Sequence, residues 1–141
     1  MRFRTLIIDT SVYINFFRGK STIGAVLDSE KMTVYCTSVI IAELLAGAFS
    51  TREREVILKM RQHFKNNLRL VAPTEGDWFW CGYTLSQIGK KYGFEQIKKS
   101  RLINDCLIAL ACKNLGATLL TENTKDFGLI RRFIDFQCIS V

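Results

Sequence analysis

Arg4-Thr5-Leu6-Ile7-Ile8-Asp9-Thr10-Ser11 decides how the chain is read: a short apolar, β-branched run stops on an acid and is followed at once by two hydroxyl side chains. Such a run reads as a buried strand that hands over to a helix, with Ser11 the expected N-cap. Outward from it, the pattern of strand, polar cap and helix repeats. A helix over 12–17 ends at Gly19, a second is expected over 21–29, and a strand over 33–36 leads to Thr37 or Ser38 as the cap of a helix over 39–49. Two longer amphipathic helices follow. The first is predicted over 52–66 with Val56, Met60 and Phe64 on its apolar stripe, the second over 75–92 with Trp78, Cys81, Gly82, Leu85, Ile88, Gly89 and Tyr92 recurring at helical spacing. A short strand over 68–71 separates them. After a basic loop over 93–101 come a helix over 102–115 ended by Gly116, a strand over 117–120 leading onto Thr121, a short helix near 127–132 and a last strand near 136–139.

Strands alternating with helices predict an α/β fold, because parallel neighbours in a sheet need helical crossovers. The expected architecture is a three-layer α/β/α sandwich around a mainly parallel sheet of about five strands, in a single domain spanning 1–141. Such sheets bind ligands beyond the carboxyl ends of their strands, which is where Asp9 and the 121–126 loop fall.

Composition agrees with one packed core: the 141 residues are 48% apolar and 11% aromatic, with one proline and no Ser/Gly-rich tract. Basic residues open the chain, but only Leu6-Ile7-Ile8 precede Asp9, so no export signal is read there. No apolar run approaches the roughly 20 residues that span a bilayer. A soluble, cytoplasmic protein without membrane attachment is expected. The five cysteines, Cys36, Cys81, Cys106, Cys112 and Cys138, are odd in number, far apart and without a C-x-x-C pair. They read as reduced, buried thiols. His63 is the only histidine, which disfavours zinc and, on a basic helix, any catalytic triad. Net charge is +7, which suits RNA or an acidic protein as partner. The charge gathers over 52–69 and again at Lys90, Lys91, Lys98, Lys99 and Arg101, either of which is equally readable as a solvated face.

Four acids stand out by context. Asp9 ends the first strand, where an aspartate is commonly a turn or cap residue. Glu43 lies in Val39-Ile40-Ile41-Ala42-Glu43-Leu44-Leu45-Ala46, the most apolar helix, with no lysine or arginine within a turn. A carboxylate there must reach the helix edge, a base or a cation, because burying it unpaired is costly. Asp105 repeats the pattern in Leu102-Ile103-Asn104-Asp105-Cys106-Leu107-Ile108-Ala109, where a helix-dipole role is the plain alternative. Asp126 closes Thr121-Glu122-Asn123-Thr124-Lys125-Asp126, in which Thr121 and Asn123 are also readable as turn residues and Asp126 as a helix cap. Converging carboxylates repel unless a cation lies between them, and hard oxygen ligands without His or Cys select Mg²⁺ or Mn²⁺. Such an ion serves phosphodiester chemistry, which fits the positive charge.

These blocks resemble, in order and spacing, the motifs of PIN domains. Leu6-Ile7-Ile8-Asp9-Thr10-Ser11 is similar to their opening, Thr37-Ser38-Val39-Ile40-Ile41-Ala42-Glu43-Leu44 to their second acidic block, Asn104-Asp105-Cys106-Leu107-Ile108-Ala109 to their third, and Thr121-Glu122-Asn123-Thr124-Lys125-Asp126-Phe127 to their closing motif. The size of the chain most resembles the VapC toxins of toxin–antitoxin pairs. The resemblance implies a Mg²⁺-dependent endoribonuclease leaving a 5′-phosphate and a 3′-hydroxyl. Asp9 and Asp105 would be direct metal ligands, Glu43 and Asp126 would act through water, and Ser11, Thr121 and Asn123 would support them. Family members differ in whether the fourth acid stands where this chain has Asn123 or where it has Asp126; Asp126 is preferred here. The resemblance also implies an antitoxin that inserts into the acidic cleft and a homodimer, for which Tyr13, Phe16 and Phe17 are candidate apolar positions, core packing being an equal reading of all three.

Other readings are a PIN-fold module that binds RNA or protein without turnover, and a housekeeping RNA-processing nuclease. A haloacid-dehalogenase-type phosphatase would need a second aspartate at position 11, which is Ser11. A receiver domain would need an acid after the third strand, and 68–73 has none. P-loop and dinucleotide-binding glycine patterns are absent.

Overall fold

The computed structural model describes residues 4–20, 23–24, 30–95, 97 and 102–141. The helix expected over 21–29 and the basic residues Lys98, Lys99 and Arg101 fall largely outside these. Five strands form one sheet: β1 (Arg4–Ile8), β2 (Met32–Thr37), β3 (Leu70–Val71), β4 (Thr118–Thr121) and β5 (Gln137–Ser140). Their order is β3-β2-β1-β4-β5 and every neighbouring pair is parallel. The described helices are α1 (Thr10–Phe17), α2 (Ser38–Ala46), α3 (Thr51–Asn66), α4 (Glu75–Tyr92), α5 (Leu102–Leu115) and α6 (Thr124–Ile130).

From β1 the chain steps outward through β2 to β3, then returns across the sheet to β4 and continues to β5. Right-handed crossovers taken in opposite directions place α1–α3 over one face and α4–α6 over the other, giving the expected three-layer α/β/α sandwich. Central β1 is covered on both sides, which is why Leu6, Ile7 and Ile8 are all buried rather than alternating. Buried side chains of this size each contribute about 1.5–3 kcal/mol. The two halves part between β1 and β4, and a sheet of this topology has its crevice there, beyond the strand ends.

Local chemistry sets the element ends. Thr37 caps α2 by accepting a hydrogen bond from the Ile40 amide, and Ser50 with Glu53 and Thr74 with Asp77 form reciprocal capping boxes at α3 and α4. Gly116, at φ 64°, ends α5, and the next amide returns to the Cys112 carbonyl.

Several sequence expectations are corrected. Ser11 is not a cap: α1 begins at Thr10 with Asp9 in the N-cap position, and Ser11 lies within the first turn. Helix α2 stops at Ala46, before Phe49, because Gly47 takes the C-cap. The buried stripe of α3 holds Ile57 and Phe64, while Val56 is exposed. Trp78 and Gly82 are exposed although they keep helical spacing with the buried Cys81, Leu85 and Ile88. Asn123, not Asp126, caps α6, accepting from the Asp126 amide. Tyr13 is 2% exposed and belongs to the core, which removes it from any docking surface. The cysteines are free thiols and four of them are buried. Among the described residues no helix is long and apolar enough to cross a membrane.

Candidate active site

Asp9 follows β1 directly, and its amide still pairs with the Leu120 carbonyl of β4 at 2.9 Å. That bond draws the acid over the crevice between the two strands. Its side chain is 4% exposed, and Oδ2 accepts hydrogen bonds from Ser11 Oγ and Thr121 Oγ1, each at 2.8 Å. Both donors converge on one oxygen, so neither occupies Oδ1. Thr121 is fully buried and takes a further bond from the Asn123 amide at 2.9 Å, while Ser11 Oγ accepts from the Glu122 amide at 3.2 Å. The loop after β4 is thereby tied to the loop after β1.

Glu43 comes from the opposite wall, one turn before the end of α2, where a half-buried side chain reaches the crevice. Thr10 Oγ1 donates to its Oε1 at 2.8 Å, and Asn104 Nδ2 approaches Oε2 at 3.5 Å. Asp105, in the first turn of α5, is 7% exposed. Asn123 Nδ2 reaches Oδ2 of Asp105 at 3.3 Å and Oδ2 of Asp126 at 3.2 Å, holding the two acids on either side of one amide. Burial pushes the Asp105 carboxyl up to about 8, reinforced in turn by the carboxylates of Asp9, Glu43 and Asp126.

The structure therefore gathers all four acids named from the sequence, with Ser11, Thr121 and Asn123 bonded among them. Thr10 and Asn104 are also placed at the site, although the sequence reading assigned them nothing. Adjacency was the available signal, since each precedes a named residue by one position. Asn15 and Glu122 join across the rim through Asn15 Nδ2 and Glu122 Oε2; no local pattern announces that pairing.

Such a set suits a hard divalent cation. Every donor is a hard oxygen, and the mutual repulsion felt at Asp105 is relieved by a positive charge among the carboxylates. Among the described residues no three His, Cys, Asp or Glu side chains form a ready cage for a metal. Magnesium does not need one, because it commonly binds through one or two carboxylates and keeps several waters.

An open groove of about 950 Å³ leads away from Glu43 between α2 and α4, walled by Val39, Phe49, Pro73 and Trp78, with Thr10 and Asn104 beside the acid.

Comparison with known proteins gives concordant results. The PIN domain family model matches residues 6–132. The ribonuclease VapC11 of Mycobacterium tuberculosis is 26% identical over 140 residues, which cover 96% of this chain and 98% of that protein. VapBC-1 of nontypeable Haemophilus influenzae shares the fold with a TM-score of 0.68 at 22% identity, over 96% of this chain and 97% of its own. VapBC2 of Rickettsia felis, solved with a DNA fragment from its promoter, matches with a TM-score of 0.65 at 20% identity, over 97% and 98% of the two chains.

Proposed function

Because the chain belongs to the PIN domain family, we propose that it is a Mg²⁺-dependent endoribonuclease and the toxin of a VapBC-type pair. The observation that carries this is the meeting of Asp9, at the junction of β1 and α1, with Glu43, Asp105 and Asp126, on three different helices, around one crevice in which Asp105 is pushed up to about 8. The similar mycobacterial protein is named a ribonuclease, and the net charge of +7 suits RNA as substrate.

In this reading Asp9 and Asp105 hold the ion directly, while Glu43 and Asp126 act through water. Mg²⁺, or Mn²⁺ in its place, would supply neutralisation of the charge that builds up during in-line attack on a phosphodiester. The chain's own residues fix the geometry. Ser11 and Thr121 orient Asp9, Thr10 orients Glu43, and Asn123 keeps Asp105 and Asp126 together; partners of ligands at this remove typically matter about 10–100-fold. The presence of all the acids argues against a module that binds without turnover.

The partners follow from the same reading. A segment of a cognate antitoxin fits the groove beside Glu43, where Trp78 and Phe49 offer apolar walls next to the acids. A homodimer through α4 is the reading favoured here, with the exposed Phe17 of α1 as the other candidate. Tyr13 is buried, whereas Phe79, Trp80 and Tyr83 are about half exposed and pack on one another with ring centroids 5.2–6.3 Å apart. The cytoplasm is the proposed compartment.

The test is incubation of the purified protein with a pool of structured and single-stranded RNA, with Mg²⁺ or Mn²⁺ and beside EDTA. Metal-dependent internal cuts with 5′-phosphate ends are expected. A folded, antitoxin-free protein that cuts nothing and binds no metal overturns the proposal.

A further inference from the structure

Away from the acids, three elements each turn one stripe toward a common space. On α1 the stripe is Tyr13 and Phe16, on α3 it is Met60 and Phe64, and on β2 it is Met32 and Val34, two positions apart and therefore on one face of the strand. They border a cavity of about 450 Å³, which falls in the range of roughly 300–1,000 Å³ usual for small-molecule sites. None of its described lining residues belongs to the acidic site or to the groove beside Glu43.

The cavity is graded from an apolar floor to a cationic mouth. Tyr13, Val34 and Phe64 are buried, Phe16, Met32 and Met60 are half-buried, and His63 and Arg69 stand at the open end. One polar atom lies in the apolar part. Tyr13 Oη is buried and has no hydrogen-bond partner, the sole such side-chain atom among the described residues. Burial pushes the phenol well above its ordinary value, so it remains a neutral hydroxyl that can donate and accept. Such a group is costly to leave unpaired, and native structures seldom do so without a reason. At the other end the Arg69 backbone is fixed, its amide donating to the Phe64 carbonyl at 2.8 Å and its carbonyl accepting from the Cys36 amide at 2.9 Å. No acid is among the described lining residues, so the guanidinium meets no carboxylate across the cavity.

We propose that this cavity binds a small aromatic carboxylate with a polar group at its far end: the ring lies between Phe16, Met32 and Met60, the carboxylate meets Arg69, and the polar group pairs with Tyr13 Oη. Each requirement comes from a different part of the lining. The aromatic and thioether walls suit a flat ring. A guanidinium takes a carboxylate through two parallel N–H donors. The buried hydroxyl disfavours a body that is apolar throughout, because such a body would seal it off unpaired. The nuclease reading neither requires this site nor depends on it.

The test titrates the full-length protein with para-hydroxyphenylpropionate and follows the amide shifts in NMR spectra. Two comparison probes are phenylpropionate, which lacks the hydroxyl, and para-propylphenol, which lacks the carboxylate. The hydroxylated acid should bind most tightly, with shifts confined to α1, β2, α3 and the residues around Arg69. Tyr13→Phe is expected to weaken it several-fold, about the worth of one hydrogen bond, while phenylpropionate binds that variant no less tightly. Arg69→Gln should weaken both acids about tenfold, as for a hydrogen bond to a charged group, and leave propylphenol unchanged. A merely structural role for the two residues would move all three affinities together, and melting curves identify any variant that has lost its fold. The proposal is overturned if the parent binds neither acid, in which case the cavity holds water only. Binding of propylphenol alone overturns it as well, since that would fit an apolar side chain of a partner protein. Equally, acids that bind both variants as they bind the parent sit elsewhere, and the proposal fails. None of these outcomes bears on RNA cleavage, which is scored separately.

Discussion

Thr121 Oγ1 donates a 2.8 Å hydrogen bond to Oδ2 of Asp9 across 112 positions of sequence, at the point where β1 and β4 lie side by side and the chain turns away from each in opposite directions. Thr121 is fully buried, so its loss is not made good by water. Thr121→Val is expected to cost about 1–2 kcal/mol of stability, as for a buried acceptor losing one of two donors, and to reduce cleavage about 10–100-fold. Ser11→Ala, at a half-buried position on the same oxygen, should cost less stability. Thermal melts paired with cleavage rates distinguish the two.

The pH dependence of stability follows from Asp105. Its carboxyl is raised from an unfolded value near 3.8 to about 8, so between these values the folded state binds the proton that the unfolded state has lost. This contribution is fully present below about pH 4 and is lost as pH rises through about 8. The metal-free protein in EDTA should therefore lose stability across that window, and Asp105→Asn should flatten the trend. Mg²⁺ should raise the melting temperature more at high pH than at low, since the proton competes for the same oxygens. Melts over a pH series with and without Mg²⁺ measure both.

Asn123 performs two tasks that different substitutions separate. Asn123→Ala removes the cap of α6 and the amide between Asp105 and Asp126, and should destabilise by about 1 kcal/mol. Asn123→Asp keeps a capping oxygen but adds a carboxylate to the cluster. It is expected to lower metal-free stability and tighten Mg²⁺ binding, which calorimetric titration reads directly.

For α4, Trp80→Glu or Tyr83→Glu should convert a dimer to a monomer by light scattering, without loss of fold, because both side chains are about half exposed. A wild type that is strictly monomeric contradicts the dimer.

The sequence made Asp9, Glu43 and Asp105 legible because each interrupts or ends an apolar run, and a charge in such surroundings demands a partner, whereas Asp126, in a polar stretch, was legible through the resemblance of the closing motif. The order of strands and helices was equally legible, since periodicity and caps are local. What escaped is what tertiary contact decides. Thr10 and Asn104 turn toward Glu43, from 33 and 61 positions away, and no spacing rule names an acceptor at that distance. Trp78 has the period of a core residue, yet it sits in the first turn of α4, where the helix borders the groove instead of another element. Ser11 looked like a cap because it follows the strand, but helical backbone begins one residue before it and turns its hydroxyl back onto Asp9.

The most direct test of the account compares single-turnover RNA cleavage by the wild type and by Asp9→Asn in Mg²⁺ and in EDTA. The account predicts internal cleavage by the wild type that EDTA abolishes, and a loss of about 10²–10³-fold in Asp9→Asn, the scale of a removed charge-stabilising group, with the fold retained. Cleavage that persists in EDTA, or that Asp9→Asn supports at the wild-type rate, would contradict a metal centre built on these carboxylates.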